Sequence, residues 1–125
     1  MKDLFRNRAL ENLKIAELAY KNSCFNASAN RAYYSAFHAA IAAIYSIGIE
    51  PKIEHKTIQT LFSDNFFNRR KIISSKFKGH LEELQVQRNN ADYKRGIGKK
   101  TANEMLKKAN ELVETIFKVI KWKLI

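Results

Sequence analysis

With 125 residues, 46% of them hydrophobic and 28% charged, the chain has enough apolar material for one domain with its own core and too much to be disordered. No apolar run is long enough to cross a bilayer. Met1-Lys2-Asp3-Leu4-Phe5-Arg6 passes straight into a polar-rich periodic pattern without a signal peptide's apolar segment, so no membrane association is expected. A net charge of +11 favours polyanionic partners (RNA, DNA or nucleotides), although a Lys-, Asn- and Ile-rich composition is also what an AT-rich genome encodes.

The first helical pattern spans about Lys2 to Lys21, with Phe5, Ala9, Leu13, Ala16 and Tyr20 as its apolar stripe. The lone cysteine, Cys24, excludes an intrachain disulfide and makes the cytoplasm the default compartment; it is expected as a small buried side chain. A second helix covers about Asn26 to Ser46. Tyr33, Phe37, Ala40, Ile44 and Ile47 form one face, and Ala36, Ala39, Ala40, Ala42 and Ala43 allow close helix approach. Gly48 suits the position just past its end, and Pro51, the only proline, confirms a break. A shorter helix, about His55 to Phe66, turns Ile58, Leu61, Phe62 and Phe66 inward.

Residues Asn68 to Ser75 read as a basic connector. Ser74 or Ser75 can cap a fourth helix, about Lys76 to Lys94, which Gly96 and Gly98 end. Thr101-Ala102-Asn103-Glu104 reads as a capping box for a last helix to about Trp122, with Ala102, Met105, Ala109, Leu112, Ile116 and Val119 on one stripe. No stretch reads convincingly as a strand. The expected architecture is all-α: a single domain over residues 1–125, built as an antiparallel four- to five-helix bundle.

On the fourth helix, Phe77, Leu81 and Leu84 step along one face, and the step lands next on Arg88 and Ala91. A guanidinium on a core face is costly to desolvate, so Arg88 is either paired internally or lines a cleft that receives an anion. Arg88 and Asp92 are spaced for a helical salt bridge, and Asn89 and Tyr93 share an adjacent face. Two readings are open: a buried pair that fixes register, or a phosphate-binding arginine with a nearby hydroxyl. Arg31, Tyr34 and His38 share a face of the second helix, again either as a satisfied polar face or as a cleft wall presenting a cation, a phenol and an imidazole. There is no CxxC, no HExxH, no Gly-rich phosphate loop and no paired histidine at ligand spacing, so neither metal nor cofactor is expected.

Three segments resemble one family. Asn30-Arg31-Ala32-Tyr33-Tyr34-Ser35-Ala36-Phe37-His38-Ala39-Ala40, then Glu54-His55-Lys56, then Arg88-Asn89-Asn90-Ala91-Asp92-Tyr93 resemble, in order and spacing, segments of small prokaryotic HEPN-domain proteins. The resemblance implies a HEPN bundle that forms a symmetric homodimer and binds RNA or nucleotide at an interface cleft. It implies candidate binding residues Arg31, Tyr34, His38, His55, Lys56 and Asp92 around Arg88.

Many HEPN proteins are metal-independent endoribonucleases whose motif is an arginine, a polar residue and, a few residues on, a histidine. Arg88 matches the arginine and Asn89 the polar residue, but Asp92 or Tyr93 stands where the histidine would be. An enzyme reading would have Arg88 stabilise the phosphorane, Asn89 orient the phosphate, and Tyr93 or His38 assist proton transfer. An unperturbed phenol, titrating near about 10, is a poor base for that last task. The resemblance also implies a toxin–antitoxin or defence role beside a minimal nucleotidyltransferase, which makes Tyr93 a candidate AMP acceptor. The alternative is a non-catalytic module that partners the nucleotidyltransferase, with Arg88–Asp92 purely structural.

Overall fold

The computed structural model describes residues 1–124, with side chains described through Ile120; Ile125, included in the single-domain expectation, lies outside the described residues. Five α-helices follow one another: α1 (Lys2–Lys21), α2 (Phe25–Ser46), α3 (His55–Ser63), α4 (His80–Tyr93) and α5 (Lys99–Leu124). No strand occurs among the described residues. The helices form an all-α antiparallel bundle, as the periodicity predicts.

α2 is the centre of the bundle and packs against each of the other four helices. Its composition explains this. Ala32, Ala36, Ala39, Ala40, Ala42 and Ala43 are fully buried, so neighbouring backbones approach closely on several sides. Tyr33, Ile41 and Ile44 add bulk that is also fully buried, each such aliphatic side chain contributing about 1.5–3 kcal/mol. A helix with apolar residues on nearly every face belongs in a core. Ser28, buried with them, donates its hydroxyl to the Ala16 carbonyl at 2.8 Å and ties α2 to α1 without leaving a polar atom unpaired.

α2 ends as the sequence suggests. Gly48 has φ +83°, its N–H donates to Tyr45 O, and Ile49 N–H donates to Ile44 O, the two bonds of a Schellman cap.

Four local expectations are corrected. Cys24 is exposed, because it sits in the tight turn between α1 and α2 rather than on a packed face. The α-helical ladder of α3 stops at Ser63 and widens into a π-helical turn, Asp64–Arg69. Buried Asn65 supplies a cause: its side-chain amide donates to Leu61 O at 2.8 Å, the acceptor its own backbone amide would use in an α-helix. Ser74 caps only a single 3₁₀ turn, Ser75–Phe77, and α4 begins at His80, after Gly79 at φ +87°. Finally, α5 begins at Lys99, and Ala102 N–H already bonds Gly98 O at 3.1 Å, so Thr101 lies inside the first turn and is not the cap.

The α4–α5 loop is held down by α2. Asn26 Oδ1 accepts from Ile97 N–H at 2.8 Å. Gly96, at φ +83°, passes so close that a Cβ there would meet the Asn26 amide at 3.0 Å. This fixes the C-terminal end of α4, which carries Arg88, Asp92 and Tyr93.

Candidate functional site

The expected stripe of α4 is buried as a whole: Phe77, Leu81, Leu84, Arg88 and Ala91. Arg88 is only 7% exposed. Its guanidinium carbon lies 5.3 Å from the ring centre of Tyr33, 5.4 Å from that of Tyr34 and 5.8 Å from that of Tyr93. Three tyrosines thus frame one cation, with stabilising contacts on its faces. Its ionic partner is weak. Nη1 is 3.8 Å from Asp92 Oδ2, beyond hydrogen-bond length, and the buried Nε has no partner. A desolvated guanidinium with open donors is the unusual feature of this molecule, since buried charges are normally fully paired.

Beside it runs a continuous polar chain. Asn30 Nδ2 donates to Asp92 Oδ2 at 2.7 Å. Arg31 Nε donates to Asn30 Oδ1 at 2.9 Å, and Arg31 Nη1 donates to Asn12 Oδ1 at 2.8 Å. Asn12 Nδ2 donates to Arg8 O at 2.9 Å and lies 3.1 Å from His38 Nδ1. The senses follow from chemistry. Arginine has no acceptor, so Asn12 must turn its oxygen to Arg31 and its amide nitrogen to His38. His38 Nδ1 is therefore an acceptor, and its proton sits on Nε2. Burial, with the charges of Arg8 and Arg31, lowers the pKa of His38 to about 4.

His55 opens α3 and enters the same region. Its ring lies against Phe37, Tyr33 and Tyr34 at 4.8, 5.5 and 6.1 Å between centroids, and its Nδ1 is 2.6 Å from the Tyr33 hydroxyl. Burial and then the Arg88 charge lower its pKa. Burial pushes the Tyr33 phenol well above the ordinary phenol range, so it stays protonated. At neutral pH, then, His38 and His55 are neutral and the fixed cations are Arg31 and Arg88.

The three segments singled out in the sequence meet here. Arg31, Tyr34 and His38 from α2, His55 from α3, and Arg88, Asp92 and Tyr93 from α4 form one connected region. Lys56 and Asn89 are different. Lys56 is exposed on α3, outside the contacts just described. Asn89 is half-buried and makes no side-chain hydrogen bond among the described residues. Sequence reasoning passed over Asn12, Asn30 and Tyr33. Asn12 carried a readable signal, since it falls on the Phe5–Ala9–Asn12–Ala16 stripe as Arg88 falls on that of α4. Tyr33 was placed in the core, which is correct, but its hydroxyl also serves the site. Among the described residues, no group of three or more His, Cys, Asp and Glu side chains comes together as a metal site.

The class is therefore an all-α bundle with an arginine-centred, tyrosine-lined polar site between its central helix, α2, and α4. Within that class the chain belongs to the HEPN-domain family, whose profile, described as HEPN domain, matches residues 2–120. HEPN domains are in general RNA-related or nuclease-like, and they often work as dimers. No curated protein matches the chain closely enough to add a relative. Among the described residues no helix is long and apolar enough to cross a membrane.

Proposed function

We propose that this chain is a single-domain HEPN protein, cytoplasmic, that binds RNA or nucleotide through the phosphate-receptive site around Arg88. In this reading it works as a homodimer with the site at the interface, in a toxin–antitoxin or defence system beside a minimal nucleotidyltransferase. The observation that carries the reading is the state of Arg88: more than nine-tenths buried, with an unpartnered Nε and a carboxylate no nearer than 3.8 Å. A phosphate oxygen supplies the acceptors this fork lacks, and a guanidinium can take two of them at once. Tyr93, 74% exposed beside it, offers a ring on which a base can stack.

Binding comes ahead of cleavage in this assignment. His38 is a neutral donor through Nε2, and His55 is neutral with Nδ1 engaged by Tyr33. Neutral imidazoles suit hydrogen bonding to a bound phosphate better than protonating a leaving group. The test is RNA affinity by fluorescence anisotropy for wild type, Arg88→Ala and Arg88→Lys, with thermal melts to verify folding. Folded variants that bind as well as wild type would discard the Arg88 site. Light scattering at tens of micromolar protein is expected to give a dimer mass, and a monomer would remove the interface from the reading.

A further inference from the structure

Asp92 has two suitors and meets them unequally. Its Oδ2 accepts from Asn30 Nδ2 at 2.7 Å, while the same atom stays 3.8 Å from Arg88 Nη1. An Arg–Asp pair one turn apart on a helix is within reach of a hydrogen bond charged on both sides, which is stronger than one from a neutral amide donor. Here the weaker, neutral donor has the short contact. Arg31 explains why Asn30 is oriented to make it. Both Arg31 Nε and Nη2 donate to Asn30 Oδ1. That fork can only donate, so it turns the Asn30 oxygen toward itself and leaves the Asn30 amide nitrogen facing Asp92. α2, which carries Asn30 and Arg31, is packed against α4, which carries Arg88 and Asp92. The carboxylate is thus held from a second helix.

We propose that Asn30 is a positioning residue that holds the Asp92 carboxylate off Arg88, so that the guanidinium is kept open for a phosphate group and is covered by Asp92 when Asn30 is lost. The inference rests on the reading of Arg88 as a phosphate site and adds its regulation. Asp92 is an internal anion that competes with the ligand, and the Arg31–Asn30 pair sets how strongly. The arrangement also gives Arg31 a role at a distance: it orients the amide that restrains Asp92.

The experiment measures a short, mixed-sequence, fluorescein-labelled single-stranded RNA binding to the full chain, for wild type, Asn30→Ala, Asp92→Asn, the double variant and Arg88→Ala. Asp92→Asn keeps an oxygen for the Asn30 amide and removes only the competing charge, so it should tighten binding about tenfold, the scale of one charge-assisted hydrogen bond. Asn30→Ala should weaken binding about three- to tenfold, because Asp92 is then free to close on Arg88. In the Asp92→Asn background, Asn30→Ala should have almost no further effect, a coupling that loss of helix stability would not produce. Additive effects, or an Asp92→Asn variant that binds no tighter than wild type, would overturn the role of Asn30 while an Arg88→Ala loss left the phosphate site standing. Binding indifferent to Arg88→Ala would overturn both.

Discussion

Two groups of cations in this chain differ in almost every respect. Arg69, Arg70 and Lys71 stand exposed at the end of the π-helical turn and in the connector that follows it. Arg88 is 7% exposed, framed by three tyrosines and half-paired. Exposed cations lose little by meeting a phosphate and gain little from water's absence, so they add salt-sensitive attraction without geometry. A buried guanidinium has already lost its water in the folded state. A phosphate that reaches it meets donors that are fixed in place, in surroundings where charge is screened less. On the proposed reading, the connector sets how strongly any polyanion is drawn in, and Arg88 sets where its phosphate docks.

The sharpest way to break that contrast is Arg88→Ala. RNA affinity should fall about a hundredfold, near 3 kcal/mol, at an ionic strength where wild type binds well. Stability should fall less, by about 1–2 kcal/mol in urea denaturation. That is below the roughly 3–5 kcal/mol of breaking a fully buried pair. The difference arises because Asp92 stands at the solvent edge and keeps the Asn30 amide when the arginine is gone. Arg88→Lys retains the charge and loses the fork, so it should restore stability more than affinity. A drop in stability without a drop in affinity would return Arg88 to a purely structural role.

Neutralising Arg69, Arg70 and Lys71 together to Gln should act differently. Affinity at low salt should fall about tenfold, and the slope of log K against log salt should flatten by about 2, since each lost phosphate contact removes roughly 0.7 from the slope for single strands. The thermal midpoint should hardly move, because exposed charges add little stability. An unchanged slope would mean that these cations only solubilise the surface.

The fold was largely legible because α2 and α5 follow helical periodicity closely and few polar residues interrupt their buried faces. The starts of α3's π turn, α4 and α5 were not. Each depends on a tertiary or side-chain event: the Asn65 amide taking the Leu61 carbonyl, Gly79 adopting a left-handed conformation, or α5 starting two residues before its apparent cap. At the site, Arg88 was legible because a cation on an apolar stripe breaks a pattern. That Arg31, His38 and His55 reach the same region could not be read from spacing and came from resemblance. Asn30 gave no periodic signal at all, because its role depends on Asp92, which is 62 residues away in sequence.

A smaller effect concerns the two kinds of charge at the site itself. His38 is kept neutral in the folded protein, with its pKa lowered to about 4, while in the unfolded chain it titrates near its ordinary value of about 6.5. The sign follows. Above pH 6.5 both states are neutral and the contribution is intact. Between about pH 6.5 and 4 the unfolded chain binds a proton that the folded chain refuses, so stability falls as pH falls. Below about 4 the loss is complete. The residue is only half-buried, so the discounted magnitude is about 1–1.5 kcal/mol rather than the full shift. His55, shifted the same way, adds to it. Urea midpoints across this range should drop for wild type and drop less for His38→Gln. Equal slopes would show that His38 is not the group responsible.

The smallest effect expected is that of Tyr93→Phe, and its smallness is informative. Tyr93 is 74% exposed, its ring centre is 5.8 Å from the Arg88 guanidinium carbon, and its hydroxyl has no hydrogen-bond partner among the described residues. On the sequence the hydroxyl was the interesting group, as a proton carrier or a modification acceptor. In the folded site the ring is what closes the third side of the cage, and a ring needs no hydroxyl to cover a guanidinium or to stack on a base. Tyr93→Phe should therefore change RNA affinity by less than about twofold, whereas Tyr93→Ala should lose about 1–2 kcal/mol, the scale of one stacked base. Both substitutions are at an exposed position at the end of α4, so neither should change the unfolding free energy by more than about 0.5 kcal/mol. If Phe is as damaging as Ala, the hydroxyl contacts the ligand directly, and Tyr93 joins Arg88 as a polar contact rather than a stacking surface.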